Sequence, residues 1–227
     1  MRNVTRALLA ALVVVAGVGL AGAPAGAAPF PPKQINMHVR PGSPVYSQVT
    51  ELMVSIKRTP TGAPRGGTVT FFVDDVAVGT VSNVRHFNSV LKTTSLTPGP
   101  HTVRAEYGGD ATTAPGVSNT VAVTVARANT ATSLTSAVNP VPAGDPAEIR
   151  AVVRAVAPAT TSRRPAGSVT FVAGARRATV AVNANGVAVW RPVLPEGSYT
   201  VEATYTGSER HAPAPVATTD LEVSAPA

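Results

Sequence analysis

Metal or acid–base chemistry in this chain would have to be done by four histidines and twelve carboxylates, because there is no cysteine. The histidines are His38, His86, His101 and His211, and no two are closely spaced. A zinc site needs three or four ligands converging in a tetrahedron, and here no thiolate is present to help. Nucleophilic hydrolysis needs a serine beside a base that a third group orients, and no Gly-x-Ser-x-Gly elbow occurs. Glycoside hydrolysis needs two carboxyls facing each other across a cleft, whereas the acids here fall mostly at turn-forming positions or on polar faces. Asp74-Asp75 and Asp110 are the best oxygen donors for calcium. Calcium takes six to eight such ligands, and aspartate also favours turns simply because it caps local backbone groups. The pattern therefore predicts no enzyme, no metal ligands and no cofactor.

Of one tryptophan and four tyrosines, whose type suits stacking on sugar rings, Tyr46 and Trp190 are the candidates for such a role. Trp190, in Val187-Ala-Val-Trp190-Arg191, suits core packing better than an exposed platform, although exposure would favour carbohydrate binding. Aromatics make up only 4% of the chain, so the supply for such a platform is thin. The formal net charge is +7, and the charges are scattered, with pairs at Lys57-Arg58, Arg163-Arg164 and Arg176-Arg177. A nucleic-acid binder would cluster its charges among exposed aromatics, so no nucleic-acid partner is predicted. Weak attraction to an anionic cell envelope is compatible with the charge.

The elements that would carry these residues are short strands. Val103, Ala105 and Tyr107 alternate with Thr102, Arg104 and Glu106, and Val201, Ala203 and Tyr205 alternate with Thr200, Glu202 and Thr204. Leu52, Val54 and Ile56 alternate in the same way, as do Ile149, Ala151 and Val153. One apolar and one polar face is the requirement of a sandwich sheet. Turn signals separate the runs: Asp74-Asp75, Ala173-Gly174, Thr97-Pro98-Gly99, Pro195-Glu196-Gly197, and Asn185-Gly186, which has hairpin chemistry. The Pro- and Gly-rich stretches Arg58–Gly66 and Ala157–Ala166 are longer than hairpin turns and are expected to cross between sheets.

These blocks occur twice, about a hundred residues apart. Gly67-Thr-Val-Thr-Phe71 returns as Gly167-Ser-Val-Thr-Phe171, and Leu96-Thr-Pro-Gly99 as Leu194-Pro-Glu-Gly197. Ala105-Glu-Tyr107 leads to Gly109 and Ala114-Pro115, while Ala203-Thr-Tyr205 leads to Gly207 and Ala212-Pro213. The ordered set resembles the bacterial immunoglobulin-like repeat domains of the third type. The resemblance covers most of residues 35–224, with a weaker fit at Ile35–Val39 and at Ala173–Arg177. It implies an all-β fold of two tandem immunoglobulin-like sandwiches of about seven strands each, and an extracellular setting. Phe71, Phe171, Tyr107, Tyr205, Gly109 and Gly207 are the expected structural residues, each tyrosine hydroxyl tying down a crossing loop. Such a fold does not by itself imply a ligand.

Residues 1–27 read as a signal peptide: Arg2 and Arg6, an apolar Ala7–Leu20, then Ala25-Gly26-Ala27, with cleavage expected between Ala27 and Ala28. The apolar run is shorter than the roughly 20 residues that span a bilayer. Without Arg2 and Arg6 the net charge falls from +7 to +5. The expected domains are 28–126 and 127–227, joined by the short Ala126-Arg-Ala-Asn129, a length that implies limited bending. The reading is a secreted, extracellular, non-catalytic spacer, adhesion or binding protein, free of the membrane after cleavage. Its partner would be a cell-envelope, host-surface or polysaccharide component, with the oligomeric state left open. The alternative is a carbohydrate-binding accessory module.

Overall fold

The computed structural model describes residues 29, 31–58, 66–82, 84, 88–160 and 163–225. Residues 1–28, including Ala27 and Ala28, lie outside the described residues, as does His86. Every regular element among the described residues is a strand.

The first copy contributes β1 (Pro32–Arg40), β2 (Thr50–Arg58), β3 (Thr68–Val73), β4 (Val76–Ser82), β5 (Asn88–Thr93), β6 (Gly99–Tyr107), β7 (Gly116–Val117) and β8 (Val121–Val125). One sheet has the order β1-β2-β5, and the other runs β4-β3-β6, with β7 and β8 both paired to β6. The second copy contributes β9 (Thr130–Ser136), β10 (Val141–Pro142), β11 (Ile149–Ala155), β12 (Ser168–Ala173), β13 (Arg176–Ala181), β14 (Val187–Trp190), β15 (Gly197–Tyr205) and β16 (Ala217–Ser224). Its sheets are β14-β11-β9 and β10-β16-β15-β12-β13. The registers repeat closely: Val69 faces Tyr107 and Phe71 faces Ala105, as Val169 faces Tyr205 and Phe171 faces Ala203.

Period-two alternation places one face of each strand in the interior. Ile35, Met37, Leu52, Val54 and Ile56 of one sheet meet Val69, Phe71, Val103, Ala105, Tyr107, Val123 and Val125 of the other. In the second copy Ile149, Ala151, Val153 and Ala188 meet Val169, Phe171, Val201, Ala203, Tyr205, Leu221 and Val223. Removing these side chains from water is the main stabilising term in a chain with no disulfide. β1 pairs with β2 from Pro32 to Arg40 despite the weak resemblance of Ile35–Val39 to the repeat pattern, because Ile35 and Met37 still alternate into the core.

One expectation needs correction. Asn185-Gly186 does not close a hairpin between paired strands, since β13 belongs to the sheet of β12 and β14 to the sheet of β11. The turn is a corner between sheets. Asn183 Oδ1 accepts from the amides of Asn185 and Val187, and Gly186 offers its carbonyl to the Val153 amide on β11 at 2.8 Å. Gly186 has φ 79°, and a Cβ there would lie 2.7 Å from the Val153 carbonyl oxygen. Gly186 takes the positive φ expected of an Asn-Gly turn, but pairing is chosen by which sheet needs Val187 and Ala188 buried.

Candidate functional site

The Asp74–His101 pair most resembles catalytic machinery. Asp74 and Asp75 occupy the two central positions of the β3–β4 turn, with φ 50° and 62°. That turn projects Asp74 towards the start of β6, where its Oδ1 accepts from the Thr102 amide at 2.8 Å and its Oδ2 contacts His101 Nδ1 at 2.6 Å. The other imidazole nitrogen, Nε2, lies 2.8 Å from the Thr97 carbonyl. Both nitrogens thus face acceptors, an arrangement that favours the imidazolium over the neutral ring. Burial of His101 works against the charge, but the Asp74 carboxylate and the Thr97 carbonyl outweigh it and raise its pKa above the usual value. Asp74 is held below the usual carboxylate range by the Thr102 amide first and His101 second. With both nitrogens occupied, the ring has none left to act as a base.

The second copy builds the same tie from other chemistry. Tyr199, at the position of His101, donates its hydroxyl to the Pro195 carbonyl at 2.9 Å, four residues back, as His101 Nε2 does to Thr97. The other candidate calcium ligands are also engaged within the fold. Asp75 accepts from Arg104 Nε at 2.9 Å, and Asp110 caps the amides of Thr112 and Thr113 at 2.7 Å each. Among the described residues no group of three or more His, Asp or Glu is placed to hold a metal, and no helix is long and apolar enough to cross a membrane.

Tyr107 and Tyr205 are fully buried, and their hydroxyls donate to the carbonyls of Gly66 and Ala166. Burial pushes both phenols above their ordinary pKa, so both remain donors. Gly109 and Gly207 sit in the turns that follow, at φ 82° and 89°, and Phe71 and Phe171 are buried in the two cores. Trp190 is half-buried and stacks on Phe171, with ring centroids 5.7 Å apart.

Tyr46 and Arg163 meet at the seam between the copies, as do two residues that sequence reading had not joined to them, Arg210 and His211. Tyr46 lies in a short loop of the first copy whose neighbour Val45 bridges to Ala126. It is only 3% exposed and so is not a sugar platform. Its ring meets His211 of the second copy edge to face, with centroids 5.5 Å apart, and Ala128, Ala155 and Ala159 complete the apolar contact. The guanidinium groups of Arg163 and Arg210 lie 5.8 and 5.6 Å from the ring centroid, and Arg163 Nη1 donates to the Tyr46 hydroxyl at 3.3 Å. Beside them Ser47 and Thr160 exchange side-chain and backbone hydrogen bonds.

The linker is knitted into both copies. Tyr46 donates its amide to Ala126 and Ala126 donates to Pro44, at 2.8 and 2.9 Å. Two residues later Ala128 donates to Arg210 and accepts from Ala212, at 3.0 and 2.8 Å. His211 is 3% exposed, and its Nε2 is buried without a hydrogen-bond partner. Burial drives its pKa below the ordinary value; the Arg163 backbone opposes this and the Arg210 charge reinforces it. Around these residues opens a cleft of about 460 Å³ lined by Tyr46, Arg163, Arg164, Ser208, Arg210 and His211, with Glu209 its one carboxylate.

A signal for the seam did exist in the sequence. Arg210-His211 stand where the first copy has Thr112-Thr113, and both pairs follow the same turn, closed by Ser208 to His211 and by Asp110 to Thr113 at 2.8 Å. Likewise Tyr46 has Ala143 as its counterpart, since Tyr46 donates to Ala126, just after β8, and Ala143 to Ser224, the end of β16. Positions that diverge between otherwise matching copies are those the common fold does not require.

No curated protein matches the chain. Among solved structures, the fibronectin(III)-like modules of Clostridium thermocellum CbhA are 14% identical, with 85% of this chain and 95% of that one covered and a TM-score of 0.34. A two-domain fibronectin type-III segment of chicken tenascin is 12% identical over 85% and 99%, with a TM-score of 0.43. The Yersinia pseudotuberculosis adhesin InvE is 13% identical over 83% and 58%, with a TM-score of 0.39. The family model described as bacterial Ig-like domain (group 3) matches residues 37–126 and again residues 134–224. With both sandwiches covered in tandem, the chain belongs to the bacterial Ig-like domain family, group 3.

Proposed function

We propose that this is a secreted, extracellular, non-catalytic protein that acts as a stiff two-domain spacer in adhesion or surface binding. In this reading Ala27–Ala28 is the cleavage site, the domains are 28–126 and 127–227, and the partner is a cell-envelope, host-surface or polysaccharide component. The observation that carries it is the linker. Ala126 is hydrogen-bonded into the first copy and Ala128 into the second, and Tyr46 closes the joint. Those anchors leave Arg127 as the pivot, and free rotation there would have to break the Thr160–Ser47 backbone hydrogen bond that crosses the joint and expose a buried tyrosine, each at a cost of order 1 kcal/mol or more. A spacer gains from that stiffness because its ends stay at a fixed separation.

The absence of native cysteine makes the test direct. Spin labels on Ala77→Cys and Ala175→Cys, one exposed position in each copy, should give one narrow distance distribution. A broad distribution in the wild-type background would overturn the spacer reading.

A further inference from the structure

We propose that the seam cleft is a binding site for the oxyanions of an acidic glycan, carboxylate or phosphodiester, held by Arg163, Arg164 and Arg210. The proposal deepens the extracellular binding reading above and rests on it for the class of partner. Its physical basis is local. Three guanidinium groups from two separate loops line one cleft, and none makes an ion pair with a carboxylate of the described residues, in contrast to Arg104 and Arg191. Like charges sharing a cleft repel one another, and an oxyanion that enters it relieves the repulsion while accepting charge-assisted hydrogen bonds.

Two of the three groups are already in position. Arg163 and Arg210 lean on the Tyr46 ring, and Arg163 is further fixed by the Tyr46 hydroxyl, so less rotamer freedom is lost when a ligand binds. His211 also lines the cleft, its ring packed edge to face against Tyr46. None of this is demanded by the sandwich, because the first copy completes the same turn with Thr112 and Thr113. The cleft volume of about 460 Å³ falls within the roughly 300–1,000 Å³ typical of small-ligand pockets. That size suits one or two charged sugar units. Nucleobase stacking has no platform here, because the one aromatic ring in the cleft is buried under arginine and histidine.

The test is calorimetric titration of the protein expressed from the full 227-residue coding sequence, at low and at physiological salt. The probes are a galacturonate hexamer, its neutral methyl ester, a glycerol-phosphate hexamer and a single-stranded hexanucleotide. At least one acidic glycan-type oligomer should bind, at least tenfold more tightly than the methyl ester, and comparison of the two acidic arms assigns carboxylate or phosphodiester. Arg164→Gln, which leaves the Tyr46 contacts in place, should weaken binding about tenfold, whereas Arg176→Gln in the distant pair should not. The His211 ring resonances should shift on binding, with the imidazole titrating at higher pH. Binding by neither acidic oligomer, equal binding of the methyl ester, equal losses in the two arginine variants, or tighter binding of the oligonucleotide would each overturn the proposal. The spin-label distance reads the joint itself in the absence of ligand, so failure of the cleft and failure of the spacer reading are separable.

Discussion

Two histidines in this chain respond to acid in opposite senses, and their surroundings explain why. His101 titrates above its ordinary value because Asp74 and Thr97 both accept from it. A raised folded-state pKa adds stability that is complete below the unfolded value of 6.5 and is lost as pH rises through the higher folded one. Asp74, held low, adds stability above its unfolded value of 3.8 that is lost as pH falls through the lower folded one. The pair should therefore help most between roughly pH 4 and 6.5, and because Asp74 is half-exposed its worth is about 1 kcal/mol. His101→Tyr would copy Tyr199, keep the bond to the Thr97 carbonyl and abolish the loss above pH 6.5, leaving the acid-side dependence that the Thr102 amide gives Asp74. Urea unfolding of the first copy at pH 5.5 and pH 8 measures both statements. His211 is the reverse case. Its folded pKa lies below 6.5, so the stability it allows is complete above 6.5 and is lost as pH falls from there through the depressed value. The imidazole shifts should show His211 titrating below His101, and His211→Gln should flatten the acid-side loss in the second copy. A His211 that titrates above 6.5 without ligand would contradict the buried, Arg210-flanked geometry.

At the scale of elements, the residues that lead into β3 and β12 are held by tyrosines of the neighbouring strands β6 and β15. Tyr107 reaches Gly66 and Tyr205 reaches Ala166, and both phenols are buried. Phenylalanine would retain the ring but take the donor from the Gly66 or Ala166 carbonyl. Tyr107→Phe and Tyr205→Phe should each cost about 1–2 kcal/mol, while the alanine variants should cost roughly 3–5 kcal/mol through the cavity they open. A phenylalanine variant as damaging as alanine would mean that the hydroxyl, not the ring, dominates. The corner at Asn185-Gly186 makes a sharper demand. Gly186→Ala combines an unfavourable positive φ with a clash against the Val153 carbonyl, so it should destabilise the second copy by more than 1 kcal/mol. Thermal unfolding should show that loss in the second copy alone. An exposed hairpin tip in the same sequence context would have tolerated the change far better.

The molecule as a whole is two closed cores and one joint. Each core buries its own aliphatic and aromatic set, with no side chain shared between the two clusters, so the copies should unfold in separable transitions. The joint is a third, small cluster centred on Tyr46. Tyr46→Ala should leave both cores folded, broaden the spin-label distance distribution and lower the stability of the joint by about 2 kcal/mol. That figure lies below the cost of a closed core cavity because water can fill the gap. A distribution as narrow as wild type in Tyr46→Ala would mean that the Ser47–Thr160 hydrogen bonds and the short linker suffice by themselves.

The division between what was legible in the sequence and what was not follows from the range of the forces involved. Strand identity depends on period-two alternation and turn chemistry, which are local, and duplication of Gly67–Phe71, Leu96–Gly99 and Ala105–Gly109 made the signal redundant. The sequence alone thus determined an all-β fold in two tandem copies, with Tyr107, Tyr205, Phe71 and Phe171 on inward faces. Which strands share a sheet is not local: Asn185-Gly186 has the residues of a hairpin, and only the competition to bury Val187 and Ala188 against β11 makes it a corner. The seam was less legible still. Tyr46, Arg163 and His211 are far apart in the chain, and nothing in their local pattern distinguishes a buried joint from three solvated loops. Tertiary packing decided it by bringing one tyrosine of the first copy against the turn after β15. Once that ring left water, the groups around it had to be histidine, alanine and arginine stems that could cover it.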